Sequence, residues 1–444
     1  MASLTGISSW YKIPELRRRI VFTLVVLGAY RVGAFVSTPG VDRNAMRQFI
    51  SSQSGTLVGF FNMFSGGALQ NMSLFALGIM PYVSSSIILQ LLGMVYKPID
   101  ELRKEGEAGR RKLDQYTRYG TVALSAFQAF GMAKWIESMS GGVQGGVAIV
   151  SSPGLGFELM TVLSLTTGTA FLMWLGEQIT ERGISNGISL IITAGIVDGV
   201  PTQVGNYFAQ NEGDIRPLTA ATVIGLLVVC VAFVSFFENG RRLIPIVYSR
   251  RQVGRRVYGG QTAHLPLKLN ASGVIPPIFA SSLLMFPATL ASMKVPFMDD
   301  LQSIVNRGDW VFNTGYALLI IFFTYFYTGV VFQPVDVAEN LKKQQANIPG
   351  IRPGKQTAEF IEHVINRITF AGAIYVACIC VIPSIIGQAI RVQITFGGTT
   401  IMIVVGVCLD TVNQIEGHLL KRSYEGLTGP GTGRIHGRRL APST

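Results

Sequence analysis

The chain is short of charge. Of its 444 residues only 14% are Asp, Glu, Lys or Arg, whereas 49% are hydrophobic. Soluble globular proteins carry roughly 25% charged residues, and a chain of this length needs them to cover its surface. That deficit excludes an ordinary soluble enzyme, and the abundance of Leu, Ile, Val and Phe excludes disorder. Cysteine is scarce too. Cys230, Cys378, Cys380 and Cys408 all fall in apolar runs, so no disulfide framework is encoded. The pair Cys378 and Cys380 reads as small apolar packing rather than as a metal or redox couple. The four histidines, His264, His363, His418 and His436, are scattered without zinc spacing. The 50 glycines follow no three-residue period, which excludes collagen. No Walker loop, metal motif or Ser-His-Asp arrangement stands out. The expectation is therefore a protein that is not an enzyme, with no catalytic residues, no metal and no cofactor.

What the chain does have is long apolar runs. Ten stretches, 20–36, 73–95, 119–139, 155–176, 187–200, 219–237, 273–293, 316–332, 368–386 and 397–412, approach the length needed to cross a hydrocarbon core. The fifth is the shortest and extends toward Phe208. The first follows Arg17, Arg18 and Arg19 and is interrupted by Arg31. No small-residue cleavage site follows it, so it is a span and not a cleaved leader.

The 37 Lys and Arg residues are sorted by side. The N-terminal segment carries 4, and the alternate loops 97–118, 178–186, 238–272 and 333–367 carry 7, 1, 7 and 5. The C-terminal tail carries 5, which brings this set to 29, against 6 in the other set of loops. Cytoplasmic loops hold the basic excess of multi-pass proteins. Both termini are expected in the cytoplasm, and the number of spans is even.

Ionisable residues inside spans mark pumps and coupled carriers. Here the main candidates are Arg31, Lys134, Glu177, Asp198 and Asp410, most of them near the end of a run, where a long side chain reaches the headgroups. The second run follows Gly66 and Gly67 and contains Pro81; the seventh contains Pro276, Pro277 and Pro287. Proline inside a membrane helix frees carbonyls that a neighbour or a water-lined cavity must satisfy. The same two runs carry hydroxyl clusters, Ser84, Ser85 and Ser86 with Gln90, and Ser281 with Ser282. Hydroxyls commonly tighten helix packing. Their recurrence at corresponding places in two five-span halves also fits a seam that parts and meets water.

Four long strings give the chain a family resemblance. They are Asn62-Met-Phe-Ser-Gly-Gly-Ala68 running into Phe75-Ala-Leu-Gly-Ile-Met-Pro-Tyr82; Gly176-Glu-Gln-Ile-Thr-Glu-Arg-Gly183 with Asn186-Gly-Ile188; His264-Leu-Pro-Leu-Lys-Leu-Asn270 with Gly273-Val-Ile-Pro276; and Ile348-Pro-Gly-Ile-Arg-Pro-Gly354. The basic block Lys104-Glu-Gly-Glu107, Gly109-Arg-Arg-Lys112 and Gln115-Tyr-Thr-Arg-Tyr119 agrees with them. On these strings, which span nearly the whole length, the sequence resembles the SecY family, channel subunits of the general secretion (Sec) protein translocon.

The resemblance implies an all-α polytopic membrane protein. Its ten transmembrane helices form two pseudo-symmetric five-helix halves, 1–205 and 206–444, with a short re-entrant plug helix at about 60–72. It implies a passive pore for unfolded polypeptide, closed by an aliphatic ring of Ile79, Val83, Ile188, Ile192, Ile278 and Ile403. In the second and fifth runs the paired ring residues are four apart and share one helix face. An apolar collar resists ions by dewetting and yields to a chain of any sequence. The implied plug comprises Phe60, Phe61, Asn62, Met63, Phe64, Ser65, Gly66, Gly67, Ala68 and Leu69, with the two glycines as its hinge. Spans two and seven are implied as a lateral gate that releases signal sequences and membrane segments into lipid, with Ser84, Ser85, Ser86, Gln90, Ser281 and Ser282 along it.

By the same resemblance, Arg241, Arg242, Arg250, Arg251, Arg255, Arg256 and Arg352 dock the ribosome or the SecA motor ATPase, Arg352 above all, held between Pro349 and Pro353. The partners implied are SecE and SecG membrane subunits, SecA, the ribosome, signal peptides and nascent chains, and anionic lipids. The place implied is the bacterial cytoplasmic (inner) membrane. From the residues alone, topology by itself is the favoured account of these arginines. A secondary transporter of a small solute stands as the alternative, and it requires functional charges near the midplane. The tail 429–444 is expected to be flexible.

Overall fold

The structure, a computed structural model, describes residues 13–52, 62, 65–140, 149–150, 152–210, 217–248, 251–253, 256–258, 262–292, 309–390 and 398–428. Among these residues, ten helices of 16 to 36 residues coincide with the ten apolar runs. They are α1 (Pro14–Gly33), α3 (Met80–Val95), α5 (Glu107–Ser140), α6 (Leu155–Arg182), α7 (Gly187–Gln210), α8 (Pro217–Glu238), α9 (Ile275–Ser292), α10 (Asp309–Val331), α12 (Lys355–Ile390) and α13 (Gly398–Thr428). Three short helices, α2 (Arg43–Ser52), α4 (Lys97–Lys104) and α11 (Pro334–Lys343), lie between them. The fifth run does continue, since α7 reaches Gln210.

Helix ends follow local chemistry. α1 opens with Pro14 and Glu15 and closes with Arg31. A proline in the first turn loses no hydrogen bond, and the charges oppose the helix dipole. α11 repeats the pattern, with Pro334 and Asp336 at its start and Lys342 and Lys343 at its end. The same rule corrects one expectation. Pro81 lies within the first two residues of α3, and Pro276 and Pro277 occupy the first turn of α9. These prolines begin their helices instead of bending them. The chain from Ser65 to Ile79 is a run of turns, buried along most of its length. Its backbone is satisfied by protein: Thr38 and Leu74 amides donate to the Met72 and Val36 carbonyls at 2.8 and 2.9 Å. Irregular backbone at such depth is tolerated only in surroundings of this kind.

The second correction is to the all-α expectation. The loop 238–272 holds β1 (Arg241–Tyr248), β2 (Arg251–Val253), β3 (Arg256–Tyr258) and β4 (Thr262–Lys268), and the loop 333–367 holds β5 (Ala346–Asn347). β1 pairs antiparallel with β4, Arg241 opposite Lys268 through Val247 opposite Thr262, and on its other edge with β5, Val247 opposite Asn347. The two basic loops are thus one folded platform. Its core is Ile244, Ile246, Leu267, Leu341, Ala346, Ile348, Ile361, Val364 and Ile368, so α11 and the start of α12 are part of it. At about 1.5 Å per residue, the 36 residues of α12 span about 54 Å, enough to leave a hydrocarbon core of about 30 Å and enter the platform.

Four helical stretches among the described residues are long and apolar enough to cross a membrane: Leu155–Arg182, Asn313–Lys343 (which joins most of α10 to α11), Lys355–Pro383 and Gly398–Leu419. Large apolar side chains stand outward on many of the helices, including Leu24, Val32, Leu159, Phe236, Leu318 and Phe370. A soluble surface does not carry such a belt.

Candidate functional site

All six proposed ring residues meet in a single apolar cluster. Ile79 immediately precedes α3 and Val83 lies in its first turn; α7 supplies Ile188 and Ile192, α9 supplies Ile278, and α13 supplies Ile403. Four are buried, Ile403 to 1% exposure, while Val83 and Ile188 are half-buried. Ile188 and Ile192 repeat at i and i+4 and share one side of α7. A collar of this composition offers no hydrogen bond to a passing group. It can exclude ions and water by desolvation alone.

Ala68, fully buried, belongs to the same cluster as the collar. Leu69 and Met72 belong instead to the neighbouring cluster of α2, α5 and α6, with Met46, Ile50, Ala133 and Leu165. The segment 65–72 therefore lies between the cluster of the six proposed ring residues and a second core. Ser65 begins its turn: the Ser65 hydroxyl donates to the Asn62 carbonyl at 3.0 Å and accepts the Leu69 amide at 3.2 Å. The Asn62 side-chain oxygen accepts the Gln70 amide at 2.9 Å. Gly66 is a contact point as well as a turn. Its φ is +65°, and a Cβ there would lie 2.7 Å from Gly195 Cα and from the Tyr30 hydroxyl. Gly67 has φ of +74° with open space around it. Phe60, Phe61, Met63 and Phe64 lie outside the described residues.

The hydroxyl clusters divide. Ser85 is buried and its hydroxyl donates to the Thr117 carbonyl of α5 at 3.0 Å. It tightens the α3–α5 contact. Ser281 donates back to the Ile278 carbonyl at 2.9 Å within α9. The exposed Gln90 donates to the Ser86 hydroxyl at 3.2 Å, and Ser84 and Ser86 are both half-buried. Ser282 lies in α9, and its side chain is outside the description. The apolar residues Val83 and Ile87 of α3 pack against the cluster that contains Phe279 and Ala280 of α9. Aliphatic packing, more than hydroxyl pairing, joins these two helices.

On the platform, Arg241 and Arg242 are exposed on β1 and Arg352 is exposed on the turn before α12. That turn is rigid. The Ile351 amide donates to the Ile348 carbonyl at 3.1 Å, the Thr357 hydroxyl donates to the Arg352 carbonyl at 2.9 Å, and Ile348 is buried in the platform core. Arg251 and Arg256 lie on β2 and β3, which pair with each other. Arg250 and Arg255 lie outside the described residues.

Every ionisable candidate within the spans has a protein partner. Arg31 pairs with Asp198, Lys134 with Glu158, Arg118 with Glu177 at 2.8 Å, and Lys268 with Asp410 at 3.5 Å. Arg31 and Tyr30, with Asp198 behind Arg31, contact segment 65–66, a link that sequence reasoning does not make. Charge within an apolar run was the signal, but the pairing of Arg31 with Asp198 across 167 residues is a tertiary fact. With these charges satisfied internally, the structure offers a solute transporter no support.

The chain has known relatives both in sequence and in fold. The SecY family model matches residues 73–412. The chain is 48% identical over 417 residues to protein translocase subunit SecY of Escherichia coli (strain K12), covering 93% of each chain. It is 46% identical over 435 residues to the same subunit of Vibrio cholerae, covering 96% of this chain and 97% of the relative. Its fold is similar to that of a solved protein-conducting channel, with a TM-score of 0.64 at 17% identity over 97% of this chain and 99% of that one. It is also similar to canine Sec61 in a ribosome–channel complex of the endoplasmic reticulum, with a TM-score of 0.59 at 16% identity over 97% and 99%. The chain is a multi-pass membrane protein and belongs to the SecY family of protein translocase subunits.

Proposed function

We propose that this translocase subunit conducts unfolded polypeptide through the aliphatic collar, and that segment 65–72 is its plug. The observation that carries the reading is the convergence of Ile79, Val83, Ile188, Ile192, Ile278 and Ile403 from four helices on one cluster that also holds Ala68. The pore does no chemistry of its own. An apolar ring has no preference among polar side chains, so it does not stall them, and it closes on itself by dewetting when empty.

The separation of α3 from α9 is the proposed lateral gate. A signal helix leaving by it gains about 0.8 kcal/mol for each CH₂ moved into hydrocarbon, so apolar segments leave for lipid and polar ones continue. Packing of Val83 and Ile87 against the cluster of Phe279 and Ala280 supports a gate that is shut at rest. The gate is tested by a disulfide between Ile87→Cys and Ala280→Cys: locking it should block signal-sequence release. Release that persists from the locked form contradicts the gate.

The ten helices are proposed as ten spans in two halves, 1–205 and 206–444. Both termini and the sheet platform lie on the cytoplasmic side of a bacterial inner membrane. The 29 to 6 division of basic residues supports that orientation. Energy is supplied from outside the subunit, by a SecA-type motor or a ribosome seated on the platform arginines, with SecE and SecG as membrane partners and anionic lipids at the basic layer. Structural relatives seated on ribosomes, the canine Sec61 and the yeast Ssh1 complex, support the ribosome as a partner. Guanidinium groups suit both phosphate and carboxylate. A stalled export substrate that crosslinks to Ile278 in the membrane tests the conducting role itself.

A further inference from the structure

Arg31 and Asp198 lie in the apolar runs of α1 and α7 and form an ion pair through Arg31 Nη2 and Asp198 Oδ2. The other amino group of the same guanidinium, Nη1, donates to the Gly66 carbonyl at 3.2 Å. One residue earlier, the Tyr30 hydroxyl donates to the Ser65 carbonyl at 3.5 Å. Two side chains of α1 thus grip two successive carbonyls of segment 65–72. At the same place Gly66 meets Gly195, one turn before Asp198 on α7. The far end of the segment is held differently. Arg43 Nε and Arg47 Nε of α2 both donate to the Asn71 side-chain oxygen, at 3.2 and 2.9 Å. The Thr38 amide and hydroxyl both donate to the Met72 carbonyl, and Ser73 bridges Ser37 backbone to backbone.

The contrast gives the two ends different tasks. The 71–74 end is stitched into the α1–α2 connection by main-chain bonds in addition to side-chain donors. The 65–66 end is held to α1 by side-chain donors. A guanidinium is a rigid fork, so anchoring one prong on Asp198 aims the other at the Gly66 carbonyl. The ion pair is itself partly open, with side-chain exposures of 32% and 38% for Arg31 and Asp198. Half-exposed pairs are weak. This one biases the segment toward its closed place and still yields to an entering chain, which a fully buried pair would resist.

We propose that Arg31 and Asp198 are positioning residues that latch the plug. Asp198 orients the Arg31 guanidinium onto the Gly66 carbonyl, and residues 71–74 form the pivot about which the plug swings once that hold is broken. The inference rests on the channel reading above.

The test uses the substrate-free translocon with its membrane partners in planar bilayers. Resting ion conductance is measured for the parent, Asp198→Ala, Asp198→Asn, Asp198→Glu and the collar variant Ile278→Ser. A second readout is labelling of Ala68→Cys by a membrane-impermeant maleimide from the outer side, in a background with the four native cysteines replaced. Asp198→Ala and Asp198→Asn should each raise conductance and labelling rate about fivefold, the size expected for loss of a half-exposed ion pair. Asp198→Glu, which keeps the charge, should restore both toward the parent. Asp198→Asn at the parent level in both readouts, while Ile278→Ser conducts, overturns the latch and spares the channel. Asp198→Glu as leaky as Asp198→Ala also overturns it, because the charge then does not act. An Ile278→Ser variant that stays sealed overturns the collar and the latch together.

Discussion

At the collar, six aliphatic side chains converge from four helices. On the platform, Arg241, Arg242 and Arg352 stand exposed over an apolar core that joins two loops. The first surface, proposed to admit any sequence, is made of groups that form no hydrogen bond and carry no charge. The second, proposed to recognise a partner, displays fork-shaped cations on a frame of paired strands. The collar is proposed to act through desolvation, which salt leaves largely unaffected. The platform is proposed to act through exposed charge, which salt screens. On the proposed reading, the difference teaches that selectivity in this subunit is placed on the platform and withheld from the collar.

The comparison can be broken at either side, and the largest effect is expected at the collar. Replacing Ile79 and Ile278 together by Ser should raise resting conductance roughly tenfold or more, because a wetted collar passes ions. Unchanged conductance in bilayers would remove the collar from the account. Next in size is Arg352→Glu. Loss of a charge-assisted contact costs about 1.5–3 kcal/mol, so motor-driven export into inverted vesicles should fall roughly tenfold while the subunit remains inserted. Normal export would show that the partner lands elsewhere.

Salt separates the two regions directly. Raising ionic strength from about 0.1 M to about 1 M shortens the Debye length from about 10 to about 3 Å. Partner binding to the platform should weaken many-fold while the resting leak stays constant. A leak that rises with salt would mean that charge, and not desolvation, keeps the pore shut. The smallest effect is expected at Ser85→Ala, which removes one bond to Thr117 at the α3–α5 contact and should cost about 1 kcal/mol. Its measure is thermal unfolding in detergent, with export unaltered. A strong export defect there would return Ser85 to the gate.

Much of this architecture is legible in the sequence because crossing a membrane is a local demand. Each apolar run has to be long enough on its own, and each run coincides with a described helix. The sorting of basic residues is equally local. The collar residues are different. Nothing in periodicity separates Ile192 from other aliphatic residues of the same run; family resemblance singles it out. The start of α3 was misread, because a proline looks the same in sequence whether it bends a helix or begins one. The sheet was missed because β1 finds β5 about a hundred residues later, and its pairing depends on the fold. The Arg31–Asp198 pair was hidden for the same reason, since each charge on its own resembles a snorkelling side chain.

The central claim is that polypeptide passes through the collar. A photoreactive residue is placed at Ile278 in the collar, and another at Leu159, which is 70% exposed on the outer belt. Each is irradiated with an export substrate stalled midway across the membrane. The account predicts a substrate adduct at Ile278 and none at Leu159. An adduct at Leu159 without one at Ile278 would contradict it.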